Sequence, residues 1–401
     1  MNVKILEDLL QQEDAKVNDW FTALNGHLKP AVFASIDIRN AGFKMGHVDT
    51  NLFPAGFNNL SSYGEDKAIV NFEDYIQQHF SSVKKILVIP ENFTRNRKYL
   101  ENLYRLKEII RQAGFEVLIG SPYINATERH HTPTHFTILA LNRKDDAIVT
   151  QNNWQPDLVL LNNDLTDDLP AILNGIKQPI IPSPEYGWHT RRKSHHFTAY
   201  AKLAEKFAAD FGFDSWLISS NFTKCSNVNF RERQGLEEIA TAVDAVIAKT
   251  KIKYQEHNIN FSPYAFVKSD LGTYGMGVMS VQSGSELLEL NKKARHSMQS
   301  VKYGIQNTEL LIQEGIPTIE LFEGHTAETL AYVVGGEVVD LFSRVNAQKD
   351  NLSNLNSRGM QIINEPMSSM IYLKKTLARL ATLAVCFENN FQATLGSHEK
   401  I

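Results

Sequence analysis

From Phe266 to Val278 the chain reads Phe-Val-Lys-Ser-Asp-Leu-Gly-Thr-Tyr-Gly-Met-Gly-Val, a strand-like run carrying Lys268 and then Gly272, Gly275 and Gly277 in one turn-prone segment. Backbone without Cβ atoms closes over phosphate oxygens and presents its N–H groups to them, while a neighbouring lysine adds positive charge. The chemistry this suits is the holding of a nucleotide's phosphates. Because the lysine precedes the glycines and their order is G-x-x-G-x-G, the segment is neither a Walker A loop nor a dinucleotide fingerprint. Taken alone, it also reads as a glycine-rich hairpin with no ligand.

Further polar groups are spaced along the second half. Lys193 opens a helix in Gly187-Trp-His-Thr-Arg-Arg-Lys-Ser-His-His-Phe197. Leu310 to Gln313 reads as a strand ending in Gln313-Glu314-Gly-Ile316, an edge whose backbone groups could pair with an adenine. Arg344 closes a hairpin that turns at Gly335-Gly336, and Asn351 to Gly359 is a run of carbonyl-bearing side chains that includes Asn354, Asn356 and Arg358. Arginine forks at Arg39, Arg191, Arg344 and Arg358 suit two-pronged capture of a carboxylate or acyl phosphate, with a surface ion pair as the competing reading for each. His130, His131 and His135 lack metal-ligand spacing and read as loop residues. Asp49, Asn51, Asn58 and Asn59 read either as turn caps or as part of a substrate loop. Cys225 has no visible activating partner.

The elements that must position these groups follow from periodicity. Residues 1–30 read as amphipathic helix, and 31–38 as a buried strand delivering Asp37 and Arg39 at its end. Strand Lys85 to Pro90, helix Lys98 to Ala113 and strand Phe115 to Ile119 form a βαβ unit, and the strand signal repeats at 157–161 and 179–182. The first half is therefore expected to be an open α/β layer. Past Pro184 the pattern predicts helices over 194–211 and 235–248 with a strand at 215–219 between them. The last third alternates strands and turns and ends in a helix from Ser368 to about Phe387.

Composition bounds the rest. With 401 residues, 43% of them hydrophobic, the chain can bury large cores in two or three domains. A net charge of -4 gives no basic field for nucleic acid, two cysteines are too few for a disulfide framework, and no apolar run approaches membrane-spanning length. A cytoplasmic protein is expected.

The succession of Lys193, Lys268, the glycine loop, the strand edge and the asparagine run resembles the ATP-grasp superfamily, in particular its glutathione-synthetase-like members. That resemblance implies an α/β fold: an open pre-ATP-grasp substrate domain (1–189), a lid domain with the glycine-rich loop (190–309) and a C-terminal ATP-binding domain (310–401). It implies ATP and Mg²⁺ as cofactors, with Lys193 and Lys268 on the phosphates, Gly272, Gly275 and Gly277 as the lid loop, and Gln313, Glu314 and Ile316 at the adenine. Arg344 and Arg358 are then expected near the phosphoryl group, and Arg39, Lys44, Asn51, Asn58 and Arg191 on the amino acids. Metal ligands are expected at Asp340, Asn354 and Asn356, with Glu328 or Glu337 as substitutes for Asp340. The pattern's acid is replaced by asparagine at Asn354, so a second placement treats Asn354 to Gly359 as a substrate loop and Glu388-Asn-Asn390 as the metal motif. With the dense segment Ser35 to Leu60, the chain resembles the proteobacterial glutamate-cysteine ligase family nearly end to end. This implies ATP-dependent joining of the glutamate side-chain carboxylate to the cysteine amine. The alternatives are another ATP-grasp ligase such as glutathione synthetase, or a non-catalytic nucleotide or amino-acid sensor; homo-oligomerisation is left open.

Overall fold

The computed structural model describes residues 2–25, 28–92, 96–125, 128–131, 135–271, 275–299, 306–364 and 369–388. Gly272 of the glycine loop, and Asn389 and Asn390 of the second metal placement, lie outside them. Among the described residues no helix is long and apolar enough to cross a membrane.

The first half builds the expected open α/β layer. Strands Lys85–Pro90, Glu116–Ser121, Leu158–Asn162 and Ile180–Ile181 run parallel, joined at one side by His135–Lys144. Ile86, Leu87, Val88 and Ile89 are all inaccessible, as expected of a parallel strand with both faces covered. Helix Arg97–Gln112 packs on this layer through Leu103, Leu106, Ile109 and Ile110 at helical spacing. His130, His131 and His135 lie on paired antiparallel strands, Glu128–His131 and His135–Lys144, at the sheet's edge rather than in a loop.

The second half contributes two antiparallel sheets. In one, Glu309–Glu314 lies between Phe222–Ser226 and Ala265–Ser269, and Val278–Val281 forms the outer strand. The strand expected at 215–219 is instead a 3₁₀ turn, Ser215–Leu217, capped by the Asp214 side chain, and the strand follows at Phe222–Ser226. Helices Lys193–Phe211 and Leu236–Glu256 flank this region.

The other antiparallel sheet departs from the order of the chain. Its strands His325–Val334 and Glu337–Val345 are continued by Phe33–Asn40 and Met45–Asn51, with Ile36 opposite Ala331 and Asp37 opposite Leu330. A hairpin from near the start of the chain thus completes the C-terminal sheet, and the divisions expected at 189 and 309 do not follow the sheets. Both faces of Phe33–Asn40 are covered. Ala34, Ile36 and Ile38 join a core with the helices Ile371–Val385 and Val3–Gln12, while Phe33 meets Phe57 and Phe72 on the other side. A strand buried on both faces has no alternation to betray its partners.

Candidate active site

Where the two antiparallel sheets meet, a cleft of about 600 Å³, including space open to solvent, is lined by Lys193, Lys268, Gly275, Gln313, Asn354 and Asn356 from the expected set. Asp37, Arg39, Asp49 and Glu328 join them from the inserted hairpin and its neighbour strand. The two lysines therefore share one cleft. Lys193 is the first residue of its helix; its ammonium pairs with Asp49 and lies 4.8 Å from the centre of the Trp188 ring. Lys268, on strand Ala265–Ser269, donates to the Val48 carbonyl at 2.8 Å and lies 4.8 Å from the Phe197 ring centre. Burial, reinforced by the charge of Lys193, lowers the Lys268 ammonium to about 7.

Asp270, which no local motif singled out, ties the Lys193 helix to the strand of Lys268. Arg192 supplies no side-chain cap to the helix that begins at Lys193. Instead the Lys193 amide donates to the Asp270 carbonyl (2.8 Å), and the Ser194 amide and hydroxyl donate to the Asp270 carboxylate (2.6 and 2.7 Å). An acid at a helix N-terminus satisfies orphan amides and the helix dipole together. Here that acid comes from the residue that leads into the glycine loop, so the root of the loop and the Lys193 helix are held as one piece.

The glycine loop leans on the asparagine run. Gly275 has φ +76°, and a Cβ there would collide with the Asn356 carbonyl oxygen. The Asn354 amide donates to the Gly275 carbonyl (3.3 Å), while its Oδ1 accepts from the Asn356 amide (3.0 Å). Gly277 also has positive φ, +61°. Gly275→Ala is expected to cost on the order of 1–3 kcal/mol of backbone strain before the clash is counted, and so to hold the loop off Asn356. Titration with a non-hydrolysable ATP analogue should show affinity at least about tenfold weaker in a variant that is still folded; unchanged affinity would separate the loop from nucleotide binding.

Opposite the lysines lies a charged quartet. Glu328 accepts from Arg39 Nε (2.7 Å) and Arg344 Nη1 (2.6 Å), and the same Nη1 donates to Asp37 (2.6 Å). Burial pushes the Asp37 carboxyl up to about 6 against the pull of Arg344. Glu328 is held below its ordinary range, its burial outweighed by Arg39 and Arg344. Asp49, opposite Asp37 across the hairpin, is likewise held below the usual range, its burial outweighed by Lys193 and Lys268. Asp37 and Asp49 are the residues that sequence reasoning undervalued. The available signal was Gly42 between two extended runs, a turn (φ +79°) about which the two aspartates are paired.

Several expected site residues are placed elsewhere. Lys44 is fully buried, pairs with Glu314 at 2.8 Å and lies 4.1 Å from the Trp216 ring centre, and Glu314 also accepts from Trp216 and the Asn221 amide. Neither side chain is available to an amino acid or adenine, and the backbone amides of Glu314 and Gly315 are taken by the carbonyls of Asn221 and Tyr264. Gln313 lines the cleft, whereas Ile316 is buried with its carbonyl accepting from Arg39 at 3.3 Å. Arg191 is turned to Glu388, which it grips with two prongs (2.9 and 2.7 Å), and Glu388 is also bonded to His196 at 2.8 Å. Asp340 accepts from the Ser61 amide and hydroxyl at the start of helix Ser62–His79, outside the cleft. Arg358 is exposed at the outer end of the asparagine run. Asn51 caps the Phe53 amide and Asn58 donates to Asn59, so both serve turns. Beyond the cleft, Asp214, Glu256 and His257 come together, but the Lys253 ammonium already joins Asp214 and Glu256.

One cleft thus brings together two lysines, three carboxylates and the end of the glycine loop, a concentration of charged groups of the kind found in enzyme active sites. The family model described as GshA, glutamate-cysteine ligase, matches residues 7–388. A solved structure from Methylobacillus flagellatus KT, provisionally named gamma-glutamylcysteine synthetase, is 36% identical over 96% of this chain and 95% of its own, with a TM-score of 0.89. The chain belongs to the glutamate-cysteine ligase family. Fainter likeness extends to D-alanyl-alanine synthetase A of Vibrio cholerae (11% identity, 77% and 81% coverage, TM-score 0.37) and to a glutathione synthetase-like effector of Globodera pallida (10%, 88% and 85%, 0.40). No curated protein matches the chain.

Proposed function

We propose that this ligase joins the glutamate side-chain carboxylate to the cysteine amine at the expense of ATP, through an acyl phosphate, in the first step of glutathione synthesis. The observation that carries this reading is the convergence of Lys193 and Lys268 on one cleft faced by Asp37, Asp49 and Glu328. A carboxylate does not acylate an amine at neutral pH until one of its oxygens can leave. Attack of that oxygen on the γ-phosphorus of ATP expels ADP. The amine then attacks the acyl carbon, phosphate departs, and the nitrogen loses a proton.

The protein's part is positioning and charge neutralisation. Lys193 and Lys268 hold phosphate oxygens, the loop containing Gly275 and Gly277 covers them and keeps water out, and Arg39 and Arg344 fix the carboxylates that face them. Asp37, Asp49 and Glu328 offer the hard oxygen donors that magnesium prefers and would hold it there, in place of the set Asp340, Asn354 and Asn356. Bound magnesium screens the triphosphate's charge. The asparagine run, touching the glycine loop, then reads as a substrate-side loop. The reaction belongs in the cytoplasm, where cysteine remains a thiol.

The test is phosphate and ADP release by the purified protein with single omissions. Turnover is expected only with ATP, magnesium, glutamate and cysteine together. Release with another acid and amine pair instead would transfer the assignment to a different ligase, and nucleotide binding without any amide product would favour a sensor.

A further inference from the structure

Each carboxylate among the residues lining the cleft is already matched by a protein cation. Asp49 holds the Lys193 ammonium, Asp37 holds Arg344, and Glu328 holds both Arg39 and Arg344. Lys268 adds a further basic group to the lining, donating to the neutral Val48 carbonyl. Among the described residues lining the cleft, three carboxylates thus stand with three basic side chains, and Arg344, behind Asp37 and Glu328, is a fourth. A free divalent cation entering this space would have to displace an ammonium or guanidinium from its carboxylate and remain close to it in a poorly hydrated site. Repulsion there is stronger than in water.

The three pairs are not equally fixed. Arg39 and Arg344 are tied to more than one acceptor each: Arg39 also donates to the carbonyls of Ile316 and Ser353, and Arg344 bridges two carboxylates. Lys193 sits on a flexible stem, and Asp49 is the more open partner, with its side chain 38% exposed against 13% for Asp37 and 3% for Glu328. Lys193 is thus the lock that can be moved, and a triphosphate, with several anionic oxygens, is the group able to move it.

We propose that Lys193 gates the metal site: it occupies Asp49 until the nucleotide's phosphates draw the ammonium away, so that a divalent cation binds with the nucleotide and not before it. This rests on the nucleotide reading of the cleft given above. By linkage, nucleotide and cation tighten each other's binding by the same factor.

The test uses Mn²⁺ as probe and binding, not turnover, as readout. Calorimetric titration of the nucleotide-free protein with Mn²⁺ should show weak binding that tightens at least about tenfold when β,γ-methylene-ATP is present. Lys193→Met should bind Mn²⁺ without nucleotide at least about fivefold more tightly than the parent. Lys193→Arg, which retains the pair, should behave as the parent, and Asp49→Asn added to Lys193→Met should abolish the gain. Circular dichroism establishes that each variant is folded. Equal Mn²⁺ affinity in parent and Lys193→Met, or parent binding as tight without the analogue as with it, overturns the gate. Failure of the analogue itself to bind would instead remove the nucleotide reading and the gate with it, which keeps the two failures distinguishable.

Discussion

Replacing Lys268 by methionine is expected to lower kcat/KM for ATP by about two to three orders of magnitude while leaving thermal stability unchanged or slightly raised. The two readouts diverge for a physical reason. Charge that neutralises phosphate in a cleft shielded from water contributes far more than it would at the surface. Yet the same ammonium is a burden on the ligand-free fold, since it is 7% exposed and burial lowers its pKa to about 7. Methionine keeps the stem packed near Phe197 and removes the burden.

The proton inventory supplies a second measurement. With a folded pKa near 7 against an ordinary 10.5, Lys268 is mostly neutral in the free protein at pH 8 and mostly charged at pH 6. A triphosphate favours the ammonium, so nucleotide binding at pH 8 should take up about one proton from this group, and Lys268→Met should take up none there. Calorimetry in buffers of different ionisation enthalpy reads this directly. Turnover of Lys268→Met within about twofold of the parent, or identical proton uptake in the two, would remove Lys268 from the phosphates.

Arg344→Met should be the most damaging change to the fold near the cleft, destabilising it by about 3–5 kcal/mol at pH 8. Arg344 is the cation shared by Asp37 and Glu328, all three largely inaccessible. Without it two buried carboxylates face one another with Arg39 alone to balance them. The sign of the pH dependence follows. In the variant, the carboxyl pKa values rise above those of the unfolded chain, and stability from a raised pKa is present at low pH and lost as pH climbs through the folded value. The variant's deficit should therefore be smaller at pH 5 than at pH 8. Adding Asp37→Asn should recover part of it, because the arginine and that aspartate act as a unit. Thermal unfolding at the two pH values checks this, and equal midpoints for parent and variant at pH 8 would show that Arg344 is not the keystone of the quartet.

Residues 187–197 and 266–278 were legible because their messages are local. Glycines in close succession after a lysine-bearing strand, and a lysine at the start of a helix, declare loop and helix start whatever surrounds them. The start of the parallel layer was legible for the same reason: an apolar run, a helical periodicity and a second apolar run follow one another over 85–121, and the two strands they form pair side by side. What each charged residue does was not legible. Lys44, Arg191 and Arg344 are alike in being basic, yet one is sealed against Glu314, one against Glu388, and one holds the cleft's carboxylates. The difference lies in what stands across from each, often hundreds of positions away.

The amino-acid sequence by itself determined that a glycine-rich turn segment follows Lys268, that Lys193 begins a helix, and that an open α/β layer precedes both. Only the tertiary structure decided that Phe33–Asn40 and Met45–Asn51 enter the C-terminal sheet, which brings Asp37, Arg39 and Asp49 to Glu328 and to the two lysines. The reason lies in the strand's surroundings. With side chains buried on both faces, Phe33–Asn40 carries no pattern naming its partner, and pairing across 289 positions, as from Arg39 to Glu328, is selected by the burial and charge balance of the whole sheet.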